Sequence, residues 1–133
     1  YARDVKSVFK KYLVKGKPGY APHLWAPLSD AVGWIRRSGG RAVIAHPGRY
    51  KLGKGALEEL LLEFRALGGE AIEVVTSSHT PEQSLVFARH AQRLGLLASR
   101  GSDFHGPGES YLDLGRMPEL PAMCVPVWHD WKH

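Results

Sequence analysis

Apolar side chains recur along the chain at two periods, and their alternation predicts the fold. Val5, Val8, Phe9, Tyr12 and Leu13 fall at helical spacing, with Asp4 ahead of them and Gly16 behind. A short amphipathic helix is predicted there, its outer face carrying Lys6, Lys10 and Lys11. A loop rich in Gly and Pro follows over residues 15–23. From there one unit recurs three times. Ser29 is placed to cap a helix to about Ser38, Gly39-Gly40 stops it, and Arg41 to Ala45 reads as an apolar strand. Leu57, Leu60, Leu61, Phe64 and Leu67 mark the next helix, which Gly68-Gly69 separates from a strand over Glu70 to Val75. The third helix opens on Thr80, Pro81 and Gln83, the makings of a capping box. It ends near Gly95, before a strand over Leu96 to Ser99.

Helix, glycine stop, apolar strand and polar loop, repeated in that order, predict an α/β fold of parallel β/α units. No low-complexity stretch or linker interrupts them, so residues 1–133 are expected to form part of a single domain. After Tyr111 the pattern breaks down around Pro118, Pro121 and Pro126, and residues 113–133 are read as an irregular strap over the domain's outside. Trp25, Trp34, Trp128 and Trp131 are expected to anchor core and strap rather than to stack on bases.

Composition narrows the class without naming a function. Hydrophobic residues make up 44% and charged residues 23% of the 133, the balance of a globular domain with one modest core. The longest apolar runs, such as Leu60-Leu61-Leu62, are too short to cross a bilayer, and no secretory signal opens the chain. Cys124 stands alone, which excludes an internal disulfide and makes the cytoplasm the expected home. A formal charge of +5 favours an anionic partner, although a solvated basic surface explains it equally well.

Chemistry gathers where parallel α/β folds keep it, in the loops after the strands. Those loops read Ala45-His46-Pro47-Gly48-Arg49-Tyr50, Thr76-Ser77-Ser78-His79-Thr80 and Gly101-Ser102-Asp103-Phe104-His105-Gly106-Pro107-Gly108. Taken singly, His46 is an ordinary loop histidine and Asp103 an ordinary turn residue. Taken together on neighbouring strand ends, His46, Asp103 and His105 are candidate metal ligands, and a hard carboxylate beside imidazole suits Zn, Mn or Fe. An extended segment would turn Asp103 and His105 to one face. Arg49 offers a planar fork for phosphate, a structural ion pair with a helix Glu being the alternative. Tyr50 either assists or packs. His79 precedes a helix cap, where a local hydrogen bond is as natural as a site role. Glu73 is an acid inside an apolar strand, buried at the site or paired with an Arg across the sheet. His23, His90, His129 and His133 show no evident partner.

The first and third loops strongly resemble the PHP (polymerase and histidinol phosphatase) superfamily, and within it the TrpH-like subgroup of nucleoside 3′,5′-bisphosphate phosphatases and 5′-to-3′ exoribonucleases. The likeness also takes in Phe9 to Gly19, Gly39-Gly40, Ile72-Glu73-Val74-Val75 and Pro126-Val127-Trp128. The resemblance implies a distorted, TIM-barrel-like (β/α)₇ barrel, of which this chain supplies the C-terminal part while the N-terminal strands are absent. It implies that His46 binds one metal of a cluster of up to three divalent ions (Mn, Zn or Fe), and that Asp103 and His105 bind different metals of it as catalytic residues. Arg49 matches the position that contacts substrate phosphate. The implied substrates are small 3′,5′-bisphosphate nucleotides or the 5′ ends of short RNA, with no membrane partner.

The family's opening His-x-His motif, and the ligands that follow it, have no counterpart in these residues. The expected partner is therefore the missing N-terminal half of the same protein, and this part alone is expected to be inactive. A non-catalytic nucleic-acid-binding scaffold, and a sugar-phosphate phosphatase or amidohydrolase on the same barrel, are the competing readings.

Overall fold

The computed structural model describes residues 3–22, 24–108 and 112–131. His23, Tyr111 and His133 lie outside them. Helix α1 spans Val5–Val8 and continues as a π-type turn over Phe9–Leu13, where the Val14 amide donates to the Phe9 carbonyl. Asp4 caps α1, its carboxylate accepting from the Ser7 amide at 2.7 Å. Helix α2 (Leu28–Arg37), strand β1 (Val43–Ile44), helix α3 (Lys54–Ala66), strand β2 (Ala71–Thr76), helix α4 (Pro81–Leu94) and strand β3 (Leu97–Gly101) follow in order. The three strands form one parallel sheet in the order β1-β2-β3, as the repeating unit predicts.

Helix α4 begins and ends where its sequence says. Thr80 accepts from the Gln83 amide while the Gln83 side chain accepts from the Thr80 amide, and Gly95 closes the helix at φ 62°, a conformation that glycine adopts without cost. Helix α2 corrects the expected cap. Ser29 lies inside it, and Pro27 holds the N-cap with no side-chain hydrogen bond. The Pro27 ring fixes an extended entry, and its carbonyl accepts from both Asp30 and Ala31. Strand β1 is shorter than Arg41 to Ala45. Arg41 spends its side chain elsewhere, on the Val127 carbonyl at 2.6 Å and on Asp130.

Strand β2 runs through the centre of the core. Ala71, Ile72, Val74, Val75 and Thr76 are buried, and Glu73 alone is not fully so. Ile72, Val74 and Val75 join Val32, Leu61, Phe64, Phe87, Ala88 and Leu94 in one continuous core. Leu61, Ile72 and Val74 are entirely removed from water, worth roughly 1.5–3 kcal/mol apiece. A strand covered on both faces explains why β2 reads as an apolar run instead of an alternation.

The tail joins the sheet's rim. The Ala98 amide donates to the Val125 carbonyl at 2.8 Å and the Val127 amide to the Ala98 carbonyl at 2.8 Å, a parallel bridge on the outer edge of β3. Arg100 adds an ion pair to Glu119 at 2.8 Å and lies over the Trp128 ring. The other tryptophans do not anchor the core: Trp25, Trp34 and Trp131 are mostly exposed. Trp34 stands two residues from the buried Val32, which turns it about 200° away around the helix. Two histidines have partners that spacing alone did not reveal. His90 sits between Glu58 and Arg93, and His129 Nδ1 lies 3.0 Å from the Pro126 carbonyl. No helix among the described residues is long and apolar enough to cross a membrane.

Candidate active site at the strand ends

The chain leaves β1 through Ala45 and turns sharply at His46, whose backbone is left-handed (φ 32°, ψ 55°). Pro47–Arg49 then form one 3-10 turn. A non-glycine residue in this region is strained, so its surroundings must hold it. The His46 amide donates to Glu73 Oε2 at 2.6 Å, and the Gly48 amide donates to His79 Nε2 at 3.0 Å. Both acceptors come from β2 and its exit loop.

His79 is fixed by chemistry as well as by position. Accepting at Nε2 requires the ring proton on Nδ1, which donates to the Val74 carbonyl at 3.0 Å. The ring stacks on Phe87 at 4.7 Å between centroids. Burial pushes its pKa down, which favours the neutral ring that this bonding needs. Of the two roles considered for His79, the local hydrogen bond is the one found.

Glu73 is the acid in the apolar strand, and it reaches the site rather than an Arg across the sheet. Burial raises its pKa, the His46 amide and imidazole oppose that rise, and the Asp103 carboxylate adds to it. Glu73 therefore feels both His46 and Asp103. Tyr50 packs edge-on to the His46 ring at 6.2 Å, and burial together with Glu73 pushes its phenol up.

Arg49 meets Asp103, Nη1 to Oδ2 at 3.1 Å, and not the helix Glu of the alternative reading. Asp103 is itself left-handed at φ 51°. The backbone thus turns at Asp103, and the extended geometry that would set Asp103 and His105 on one face is not met there. His105 Nδ1 lies 2.6 Å from the Asp103 backbone carbonyl and 3.9 Å from its carboxylate, with the side chain largely exposed. His46, Asp103 and His105 do not close on a common point: among the described residues no three His, Cys, Asp or Glu side chains are grouped to hold an ion.

The donor chemistry nevertheless suits part of a metal centre. His46 Nδ1 is buried and has no hydrogen-bond partner among the described residues, an unusual state for an imidazole nitrogen. The Asp103 carboxylate is partly shielded, with Arg49 on Oδ2 and the His105 ring 3.9 Å from Oδ1. Thr76 Oγ1 at the end of β2 and Ser78 Oγ on the loop after it are likewise buried, with no partner among the described residues. Sequence reasoning did not single out those hydroxyls, and their residue types carry no signal for it. It also missed the Arg49–Asp103 pair, because 54 positions separate the partners.

No family model matches the chain. Individual proteins do. It is 54% identical over 128 residues to a 3′,5′-nucleoside bisphosphate phosphatase of Chromobacterium violaceum, a match covering 96% of this chain and 45% of that protein. To the 5′-3′ exoribonuclease Rnm of Escherichia coli it is 42% identical over 131 residues, covering 98% of this chain and 44% of the relative. Among solved structures, an amidohydrolase from Chromobacterium violaceum with bound sulfate and no metal superposes at a TM-score of 0.78 and 55% identity, over 94% of this chain and 43% of the other. A protein described as a metal-dependent phosphoesterase, from Bifidobacterium adolescentis, gives a TM-score of 0.65 at 27% identity, over 84% and 39%. The chain spans less than half the length of these relatives. By this likeness it is a homologue of the bacterial nucleoside bisphosphate phosphatases and 5′-3′ exoribonucleases, the PHP group that its strand-end loops resemble.

Proposed function

We propose that this chain is the C-terminal part of one (β/α)₇ barrel domain in a metal-dependent phosphoesterase. The enzyme would hydrolyse phosphate esters of nucleotides, either 3′,5′-bisphosphates or the 5′ ends of short RNA. The observation that carries the reading is one turn that presents both a buried His46 nitrogen with no hydrogen-bond partner among the described residues and Arg49, which pairs with Asp103 across the rim. The named relatives support the same chemistry.

In this reading His46, Asp103 and His105 contribute donors to a cluster of up to three divalent ions (Mn, Zn or Fe), and the remaining donors come from the rest of the protein. Bound ions would supply Lewis-acid neutralisation of phosphoryl charge and an acidified water. Arg49 orients the substrate. Its contact with Asp103 uses one of five guanidinium N–H donors, which leaves others for phosphate oxygens. The Asp103 contact also keeps the guanidinium beside the ligands while the phosphate is absent. The 133 residues alone, holding only part of the donor set, would bind ions weakly and turn over nothing.

The deciding experiment uses the full-length protein. Elemental analysis is paired with phosphate release from a 3′,5′-bisphosphate nucleotide and from a 5′-phosphorylated short RNA. Stoichiometric divalent metal with chelator-sensitive hydrolysis of at least one substrate is expected. Release of phosphate from neither, with metal bound, would remove the phosphoesterase reading. Comparing the two rates assigns the substrate class.

A further inference from the structure

We propose that Glu73 is a positioning residue for the metal site, aiming the His46 imidazole by holding the backbone from which it projects. The inference rests on the reading of His46 as a ligand. Four observations converge on it. Glu73 is the only residue of β2 that is not fully buried, and its neighbours on the strand are apolar except for Thr76. A carboxylate is an expensive choice for such a place unless it is bonded. Its Oε2 accepts the His46 amide at 2.6 Å, a short charge-assisted bond. The bonded amide belongs to a residue whose left-handed backbone needs an external hold.

The surrounding backbone is fitted to this side chain. Against β3 the ladder runs Glu73 to Ser99 and then Val75 to Arg100, so β2 carries an extra residue immediately after Glu73. Bulges of this kind re-aim side chains near strand ends. On the far side lies Gly101, where a Cβ would stand 3.0 Å from Glu73 Oε1. The carboxylate thus fills the space between the exit of β1 and the end of β3.

The second hold on the turn has the same form. His79 takes the Gly48 amide, and a Cβ at Gly48 would come within 2.7 Å of the His79 ring. Two side chains from β2 and its exit loop, each facing a glycine, grip the turn two residues apart. The imidazole that projects from this grip keeps Nδ1 bare. That arrangement suits a donor prepared before its ion arrives, as outer partners prepare ligands elsewhere.

The test compares Glu73→Gln with Glu73→Leu in the full-length protein. Gln keeps an oxygen that can accept the His46 amide, whereas Leu removes it and keeps the bulk. Three quantities are read: the His46 amide proton shift, the affinity for Mn²⁺ by titration, and KM against kcat at saturating Mn²⁺. For Glu73→Leu the amide resonance moves upfield, Mn²⁺ affinity falls about 10- to 100-fold, and kcat falls while KM for the bisphosphate nucleotide stays within about twofold. Glu73→Gln recovers most of each.

Unchanged Mn²⁺ affinity in Glu73→Leu would overturn the proposal. So would a Gln variant as impaired as Leu, because the carboxylate charge would then act directly. If Glu73→Leu does not fold, Gly101→Ala presses on the same carboxylate from the other side, and wild-type Mn²⁺ affinity there would count against the idea equally. Should the unmodified protein bind no Mn²⁺ and release no phosphate, the phosphoesterase reading fails by itself. The His46 resonance then decides the hold: a shift unchanged in Glu73→Leu ends it.

Discussion

The turns that follow β1 and β3 bring comparable side chains to the same rim, yet they are built differently. The turn after β1 is held from outside, by Glu73 at His46 and by His79 at Gly48, both delivered by the central strand and its loop. The turn after β3 carries a local contact, His105 on the Asp103 carbonyl, and meets Arg49 across the rim. One histidine is aimed and has a buried free nitrogen, whereas the other lies largely in solvent. The lesson is that the turn after β1 is the ordered side, fixed by side chains of the neighbouring strand and its loop, and the Arg49–Asp103 pair is the junction at which it meets the turn after β3.

Breaking that junction has the largest expected effect. In the full-length protein, Asp103→Asn is expected to lower kcat for phosphate release about 100- to 1000-fold, since it would remove the charge of a proposed ligand and release Arg49 together. Loss of less than about 10-fold would mean that the β3 side is dispensable. Arg49→Ala is expected to reduce kcat/KM for a bisphosphate nucleotide roughly 10- to 100-fold, the worth of one or two charge-assisted hydrogen bonds. Its melting temperature should hardly move, because the exposed pair contributes little to folding. Arg49→Lys should recover charge but not the fork, and so restore only part of the rate.

The ordered side is probed through His79. His79→Phe preserves the contact with Phe87 but strands the Gly48 amide and the Val74 carbonyl, at a cost of about 1–2 kcal/mol in urea unfolding. The pH dependence sharpens the point. The folded-state pKa of His79 is depressed by burial below its ordinary value of 6.5. The unfolded chain therefore takes up the proton first, and stability from this group is complete above pH 6.5 and lost as pH falls from there through the folded value. The wild type should lose more stability between pH 7.5 and 5.5 than His79→Phe does. Equal losses would show that the ring is not held neutral. The smallest effect is expected from Thr80→Ala, which removes the α4 cap beside the turn without touching either hold. About 1 kcal/mol of stability should go, with turnover at saturating metal unchanged.

How much of this was legible depended on the range of each interaction. Helix α4 could be bounded from Thr80, Pro81, Gln83 and Gly95 because capping is local, and its atoms lie within one turn of each end. Ser29 misled for the same reason in reverse, since Pro27 two residues earlier had already set the entry. Glu73 announced itself as a charge among aliphatics, but its partner could not be named, as a sheet decides which strand end lies alongside. The Arg49–Asp103 pair left no trace in the sequence, because two left-handed turns, at His46 and Asp103, had to form before those side chains could meet. The shared face considered for Asp103 and His105 turns on the same point: spacing tells which residues alternate only while the backbone stays extended.

The tail's pairing with Ala98 carries a consequence for assembly. That contact occupies the hydrogen-bonding groups of Ala98 on the outer flank of β3, while Val43 on β1 remains more than one-third exposed at the opposite flank. Enlargement of the sheet is thereby given a direction. A further strand would add beside β1, the sheet's other edge among the described residues, and the covered flank is screened from the stray strand pairing that leads to aggregation.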